Sequence, residues 1–252
     1  MKRSERIITC RWLLMRLNDY KEILTEGEGY KVLPGFIPRK FISAFNEKLK
    51  DLYPVRASSS KKVYAERDDI KKLEDISVWW SQMVDEWPES IAIRKLIDPI
   101  IKSHFTNLEM YASDVVFIKS GSNWVNPHID TPHRFKKYNF DKRLLGIQCI
   151  ISLDDIDKNS ASTGLVPYSQ KRDFEIDKCY SGAYDRWFKE NAIQPDMPRG
   201  SLLFYNCRIL HSSMPNPKEL ERPALLFNYL DRSIINEVKN MDNIWTSNDK
   251  RS

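Results

Sequence analysis

The spacing of apolar residues along the chain changes near residue 110. Residues 37–52 place Phe41, Ile42, Phe45 and Leu49 along one face of a helix, which is the spacing that a helix packed on a core requires. Residues 75–104 also read as mostly helical, with breaks expected near Pro88 and Pro99. The first hundred residues are therefore predicted to be largely helical.

Beyond residue 110 the apolar residues form short runs rich in β-forming side chains, separated by Gly, Pro, Asn and Asp. The runs are residues 115–118, 146–153, 202–205 and 224–230. Such a series predicts a β-sandwich or a jelly roll, packed here against the N-terminal helices. The fold class expected is α+β.

Composition indicates a packed globular protein, since 41% of the 252 residues are hydrophobic and only 8 are Gly. We expect one domain over residues 1–252, with an N-terminal extension over 1–28, a core over 29–232 and a C-terminal tail over 233–252. The four cysteines lack a CxxC pair, which argues against a disulfide framework or a structural zinc site and favours a cytoplasmic protein with reduced thiols.

The charge and hydropathy of the chain indicate whether nucleic acid or a membrane is an expected partner. Residues 1–72 hold 17 Lys and Arg against 10 Asp and Glu, whereas the rest of the chain holds 23 against 25. The basic residues alternate with acids and lack interleaved aromatics, so a solvated face is favoured over nucleic-acid binding. Arg11 and Arg16 interrupt the apolar N-terminal run, so no membrane segment is expected, although an amphipathic transit peptide stays open.

His128 and Asp130 carry the first chemical signal. In an extended backbone, residues two apart point to the same side, so the imidazole and the carboxylate converge. A metal there needs a third ligand, and His211 follows an apolar strand, residues 201–205. Two His and one carboxylate leave open positions on iron(II), although zinc accepts the same ligand types.

Arg222 follows His211 by 11 residues, enough for a hairpin that returns an adjacent antiparallel strand. A guanidinium buried beside the metal would match a carboxylate bidentately, which points to a dicarboxylic cosubstrate. Each residue also has an ordinary interpretation: His128 as a surface histidine, His211 as a core histidine and Arg222 as a surface ion pair. Their joint order in the β-rich portion favours the functional interpretation.

The sequence resembles the phytanoyl-CoA dioxygenase family of 2-oxoglutarate oxygenases. The similarity covers roughly residues 29–232. It runs through residues 29–36, 146–155, 162–167 and 200–205, then His211 and residues 222–224.

The resemblance implies a double-stranded β-helix in which His128, Asp130 and His211 hold iron(II) and Arg222 binds the distal carboxylate of 2-oxoglutarate. Ser213 matches a family hydroxyl that contacts the cosubstrate, with a plain turn serine as the alternative. Gln148 lies on a cavity-lining strand and is expected either to bond the cosubstrate or to be a structural amide.

The activity implied is hydroxylation with O2 and 2-oxoglutarate, releasing succinate and CO2, and a small molecule is the first expectation for the substrate. Two other functions stay open: a non-catalytic jelly-roll binding module and a zinc-dependent hydrolase on a cupin-like barrel. The sequence leaves the oligomeric state open.

Residues 167–170, Pro-Tyr-Ser-Gln, depart from a Pro-Gly-Ser-His turn common in the family. That turn is expected to lie away from the metal ligands. Trp124, His133 and Arg134 flank the predicted metal site, and each is expected to be either a substrate contact or a packing or surface residue. Residues 173–194 are either a lid or a helix buried against the sheet.

Overall fold

The computed structural model describes residues 19–50, 79–118, 126–157, 160–179, 181–217 and 221–248. Its helices are α1 (Tyr20–Thr25), α2 (Arg39–Leu49), α3 (Pro88–His104), α4 (Ile176–Cys179), α5 (Asp185–Asn191) and α6 (Ile235–Asn248). Its strands are β1 (Tyr30–Leu33), β2 (Trp79–Met83), β3 (Leu108–Ile118), β4 (Gly146–Ser152), β5 (Thr163–Leu165), β6 (Leu202–Asn206), β7 (His211–Ser213) and β8 (Arg222–Asp231).

The strands form two antiparallel sheets. The major sheet has six strands in the order β1-β6-β4-β8-β3-β2, and the minor sheet pairs β5 with β7. Neighbours in the major sheet are distant in sequence, so the pairing is non-local. The architecture described is thus a mixture of helices and antiparallel sheet, and the four predicted strands lie within β3, β4, β6 and β8.

The two faces of the major sheet have different roles, because successive strand residues point to opposite sides. The outer face packs on helices α1, α2 and α3 in one cluster of buried residues. That cluster joins Phe45 and Ile97 of the helices to Phe117, Cys149 and Phe227 of the strands. The inner face includes Ile150, Leu203, Tyr205, Ala224 and Leu226 and looks toward the minor sheet.

Two expectations for residues 75–104 are wrong. Residues 79–83 are strand β2, because their backbone pairs with β3 from Trp79 opposite Ile118 to Met83 opposite Asp114. Pro99 does not break α3, which begins at Pro88, where the missing N–H of proline is not needed, and continues to His104. The carbonyl that Pro99 leaves without a helical partner belongs to exposed Lys95, so water can bond it.

The tail expected after residue 232 contains α6, whose Ile235 and Val238 pack beside Leu230 and Tyr138. Cys149, Cys179 and Cys207 are free and buried, whereas Cys10 lies outside the described residues. Among the described helices, none combines the length and hydropathy that a membrane crossing needs.

Two glycines give a matched test of how tightly the chain packs between α2 and the sheet. Both have positive φ, but a Cβ at Gly200 would lie 2.5 Å from the Ile37 carbonyl oxygen, whereas one at Gly35 meets nothing within 4 Å. Gly35→Ala should cost only the left-handed backbone penalty, about 1–2 kcal/mol. Gly200→Ala should cost clearly more in urea unfolding, and equal losses would contradict the packing described.

Candidate metal centre

Three side chains from two distant segments meet at one point. Ligand atoms of His128, Asp130 and His211 all lie within 4.8 Å of one another. Asp130 Oδ1 is 4.0 Å from His128 Nε2, and Asp130 Oδ2 is 3.3 Å from His211 Nε2. Ligands at right angles with bonds of about 2.1 Å stand about 3 Å apart, so small side-chain rotations suffice to close this set around a metal.

Backbone pairing holds the two segments together. His128 and His211 form an antiparallel bridge in which each N–H donates to the carbonyl of the other residue, at 2.9 and 3.0 Å. The N–H of Asp130 donates to the Cys207 carbonyl at 2.8 Å. Ile129, between the two ligands of the first segment, points the opposite way and is fully buried. The predicted convergence of residues two apart is therefore present.

Both imidazoles are oriented through their second nitrogen. His128 Nδ1 lies 2.9 Å from the Asn126 carbonyl, and His211 Nδ1 lies 3.1 Å from the Ile209 carbonyl. Since a carbonyl only accepts, each Nδ1 carries the proton and each Nε2 presents a lone pair toward Asp130. This is the tautomer that a metal site requires.

Burial keeps the first of these imidazoles neutral. Desolvation, with a smaller contribution from the neighbouring His211, lowers the pKa of His128 to about 4, although Asp130 acts in the opposite direction. A neutral imidazole is the form that binds a metal. No proton has to be displaced from His128 at neutral pH.

Tyr205 completes the surroundings of Asp130. Its hydroxyl donates to Asp130 Oδ2 at 3.1 Å from the inner face of β6. Burial, followed by the nearby carboxylate, raises the pKa of the Tyr205 phenol, so the proton stays on the phenol and the bond fixes the carboxylate. The sequence analysis did not single out Tyr205, although its place at the end of the apolar run before His211 was a usable signal.

Arg222 is buried, 7% exposed, at the start of β8. One Nη donates to the Ala161 carbonyl, and Nε has no partner. Burial alone lowers the pKa of Arg222 to about 10, so the guanidinium stays charged at neutral pH. Among the described residues, no carboxylate pairs with this cation.

The route by which Arg222 reaches this position differs from the hairpin that was expected. β7 pairs with β5 of the minor sheet, whereas β8 pairs with β3 and β4 of the major sheet. The eleven residues after His211 therefore cross from one sheet to the other. The three-residue β7 already has a partner, and β8 extends for ten residues between two long strands, which satisfies far more backbone groups.

The positions of Ser213 and Gln148 are fixed by register. Ser213 is two residues after His211 and opposite Thr163, so it shares the face of β7 that bears the ligand. Gln148 pairs with Tyr205 on one side and Asn228 on the other. Its side-chain oxygen is buried and makes no hydrogen bond within the described part of the chain.

Of the candidates that flank the metal site, His133 and Arg134 differ in burial. His133 is fully buried, with Nδ1 bonded to the Tyr138 carbonyl at 2.9 Å, which fits the packing residue of its two alternatives. Arg134 is exposed and lies over the Phe135 ring. Trp124 lies outside the described residues.

The candidate lid segment packs against the metal-binding loops. Phe174, Ile176 and Phe188 form one buried cluster with Ile129 and Leu210, the neighbours of the metal ligands. This is the second of the two expected alternatives, helical structure buried against the fold. A groove of about 490 Å³ opens beside it, lined by Lys171, Arg172, Asp173, Phe174, Tyr184 and Trp187.

The turn at residues 167–170 does not lie away from the ligand positions. Ser169 Oγ accepts from the N–H of Leu210, next to His211, at 2.8 Å. Gln170 Nε2 donates to the Gly27 carbonyl, and its own carbonyl accepts from Arg208 Nε, both at 2.9 Å. The expectation was wrong because a turn distant in sequence supplies the hydrogen bonds that the loop before His211 lacks internally.

The comparisons with known proteins can now be set beside this geometry. The phytanoyl-CoA dioxygenase (PhyH) family profile matches residues 25–224. The chain belongs to this family. The resemblance to this family that was predicted from the sequence is confirmed. A search among curated proteins gave no match.

Solved structures share the fold of this family member. The non-haem alpha-ketoglutarate-dependent epimerase SnoN from nogalamycin biosynthesis superposes with a TM-score of 0.63 at 15% identity, covering 87% of this chain and 81% of SnoN. SnoN in complex with Fe3+, alpha-ketoglutarate and nogalamycin RO gives a TM-score of 0.60 at 15% identity, with 87% and 84% covered. At this identity the likeness concerns the fold.

His133 supplies a prediction about pH and stability. Burial lowers the pKa of folded His133 to about 4, whereas the same imidazole in the unfolded chain has a pKa of about 6.5. On acidification the unfolded chain therefore binds this proton at a higher pH than the folded chain does. The stability contributed by neutral His133 is present above about pH 6.5 and is lost as pH falls toward 4, by up to about 3 kcal/mol.

His133→Asn should therefore flatten the fall in unfolding free energy between neutral pH and pH about 5, measured by urea denaturation at each pH. The neutral Asn amide occupies the position of Nδ1 and can still donate to the Tyr138 carbonyl, so the variant keeps that hydrogen bond. Identical pH slopes for the variant and the native protein would contradict the assignment.

Proposed function

We propose that this protein is an iron(II)- and 2-oxoglutarate-dependent dioxygenase that hydroxylates a small molecule. The observation that carries the proposal is the convergence of His128, Asp130 and His211. Two imidazoles and one carboxylate on one face of iron(II) leave three positions for cosubstrate and O2. The double-stranded β-helix that we propose for the fold is consistent with two facing antiparallel sheets.

The residues present fit such a metal. Both imidazoles bond a carbonyl through Nδ1 and so present Nε2 to the metal position, and Asp130 is held by the Tyr205 hydroxyl. Bound with 2-oxoglutarate, iron(II) would supply the activation of O2 for attack on a substrate C–H bond. The protein's own part is to fix the ligands and exclude water, which the buried cluster around Ile129 and Leu210 supports.

Arg222 is the proposed anchor for the distal carboxylate of 2-oxoglutarate. A buried guanidinium without an anion costs several kcal/mol, and the planar fork of Arg matches a carboxylate. Arg222 contacts the carbonyl of Ala161, four residues before Leu165, which lies opposite His211 in the minor sheet. Ser213, opposite Thr163, lies between these two positions and is proposed to donate its hydroxyl to the cosubstrate.

The mass of the product distinguishes hydroxylation from epimerisation. SnoN is described as an epimerase, and an epimerase inverts a carbon centre without adding an atom. Hydroxylation adds one oxygen atom. Mass spectrometry of a metabolite extract incubated with the iron-loaded protein therefore separates these reactions, and gain of one oxygen is the outcome that we expect.

Turnover of the cosubstrate tests the proposal without knowledge of the substrate. The iron-loaded protein should release succinate from 2-oxoglutarate under air and not under argon, since O2 is the co-reactant. Asp130→Ala should weaken iron binding in an anaerobic titration and abolish succinate release, because one of three ligands is lost.

Asp177→Ala is the matched control, since Asp177 is exposed and paired only with Lys136 at 3.3 Å. It should leave both readouts unchanged. Succinate release that survives in Asp130→Ala would remove Asp130 from the metal shell. Activity that needs neither O2 nor 2-oxoglutarate would instead favour the zinc hydrolase, and iron binding without any turnover would favour the binding module.

Arg222→Ala should raise the KM for 2-oxoglutarate at least about tenfold, because a hydrogen bond to a charged group contributes about 1.5–3 kcal/mol. Iron affinity should change little, since Arg222 contacts none of the three ligands in a described hydrogen bond or ion pair. Arg186→Ala, at an exposed residue bonded to Glu190, is the control. A KM unaffected by loss of Arg222 would exclude it as the anchor.

A further inference from the structure

Three polar side chains on the inner face of the major sheet have no partner in the described part of the fold. They are Gln148 of β4, Asn228 of β8 and Asp114 of β3. The Gln148 residue is 8% exposed, and the side-chain oxygens of Gln148 and Asn228 are buried without a hydrogen bond. Buried polar groups are normally paired, so the two amide oxygens point to a ligand. Asp114 is half-buried beside them.

Register places the three in one stripe that starts beside the metal centre. Tyr205, whose hydroxyl contacts Asp130, pairs with Gln148, and Gln148 pairs with Asn228. Asn228 lies opposite Ala112, and Asp114 lies opposite Leu226, one same-face position further along both strands. Asp114 is therefore the diagonal neighbour of Asn228.

The stripe lies away from the proposed anchor of the cosubstrate. Asn228 is six residues from Arg222 along β8, about 20 Å of extended strand. Asp114 lies opposite Leu226, four residues from Arg222, about 13 Å of extended strand. A carboxylate held by Arg222 is therefore out of reach of all three side chains.

The ionised side chain of Asp114 lowers the free energy of unfolding. Burial, and then repulsion from Asp85, raises its pKa to about 6, and no cation offsets this shift. A raised carboxyl pKa means that the ionised form destabilises the folded state at neutral pH.

The nearby Asp85 shows the contrast. Its carboxylate accepts from both the N–H and the hydroxyl of Ser113, at 2.8 and 3.2 Å, and so has a structural role. Asp114 has none in the described residues, and its side chain lies on the opposite face of β3 from Ser113.

Resting on the proposed function, we propose that Asp114, Asn228 and Gln148 form the substrate subsite of this enzyme and that they bind an ammonium group on the substrate. An ammonium offers three donors and a positive charge, which match one carboxylate and two amide oxygens. An ammonium held among the three side chains lies near the strand of Asn228, two strand spacings, about 10 Å, from the strand of Tyr205. The substrate's oxidised carbon and its amine therefore lie at opposite ends of a molecule of roughly that length.

A matched pair of probes tests this subsite without turnover. Phenylbutylamine, which is protonated at neutral pH, and the uncharged phenylbutanol have nearly the same shape. Binding of each to the full-length protein loaded with Mn(II) and 2-oxoglutarate would be measured by ligand-detected NMR at constant ionic strength. Paramagnetic Mn(II) also broadens nearby probe protons, which reports the orientation.

We expect the amine to bind at least about tenfold more tightly than the alcohol, with its ring protons broadened more than those beside the nitrogen. Asp114→Asn should abolish that preference and should fold at least as stably, because it removes an unpaired charge. The control Asp177→Asn, at an exposed residue, should retain the preference.

Equal binding of amine and alcohol, no detectable amine binding, or a preference that survives in Asp114→Asn would overturn the subsite. Broadening that is strongest beside the nitrogen would overturn its placement. Failure of Mn(II) to bind at all would instead contradict the proposed metal centre, and the dependence of amine binding on Asp114 would still be decided by the affinities.

Discussion

The candidate centre depends on one backbone interaction, the pair of hydrogen bonds between His128 and His211. These residues are 83 positions apart, and nothing local brings them together. Once the bridge forms, each ligand side chain is directed by the extended backbone, and the buried neighbours Ile129 and Leu210 lock the two segments from behind. Precise placement of metal ligands requires this kind of rigid support.

The candidate site is surrounded by polar side chains whose hydrogen-bonding groups are not all used within the described part of the fold. Arg222, Gln148, Asn228 and Asp114 lie on the inner face of the major sheet with bonding capacity left unused among the described residues. Arg208 is the instructive opposite, because it is 1% exposed and donates to the carbonyls of Gln170 and Arg172 and to Asp173. A buried arginine with its partners inside the protein stabilises the fold, whereas one without them is available to a ligand.

Much of the secondary structure could be predicted from pattern, and the failures have physical causes. The face of α2 follows from helical periodicity, and the cores of β3, β4, β6 and β8 follow from short apolar runs rich in β-forming residues. β5 and β7 have three residues each, too few to show a period, and β2 was misread because pairing with β3 overrides local preference. Pro99 was read as a break, but burial of Ile97 and Ile100 in the core outweighs the lost hydrogen bond.

The sequence alone determined the family and was enough to predict the candidate ligands, since His128, Asp130, His211 and Arg222 are recognisable by residue type, order and neighbouring strands. Only the tertiary structure decided that β8 joins the major sheet instead of returning beside β7. It also decided that Tyr205 holds Asp130 and that Asp114 lies on the inner face without a partner among the residues that the structure describes. Side-chain chemistry is a local property that a sequence states directly, whereas strand pairing and burial depend on contacts between residues far apart in the chain.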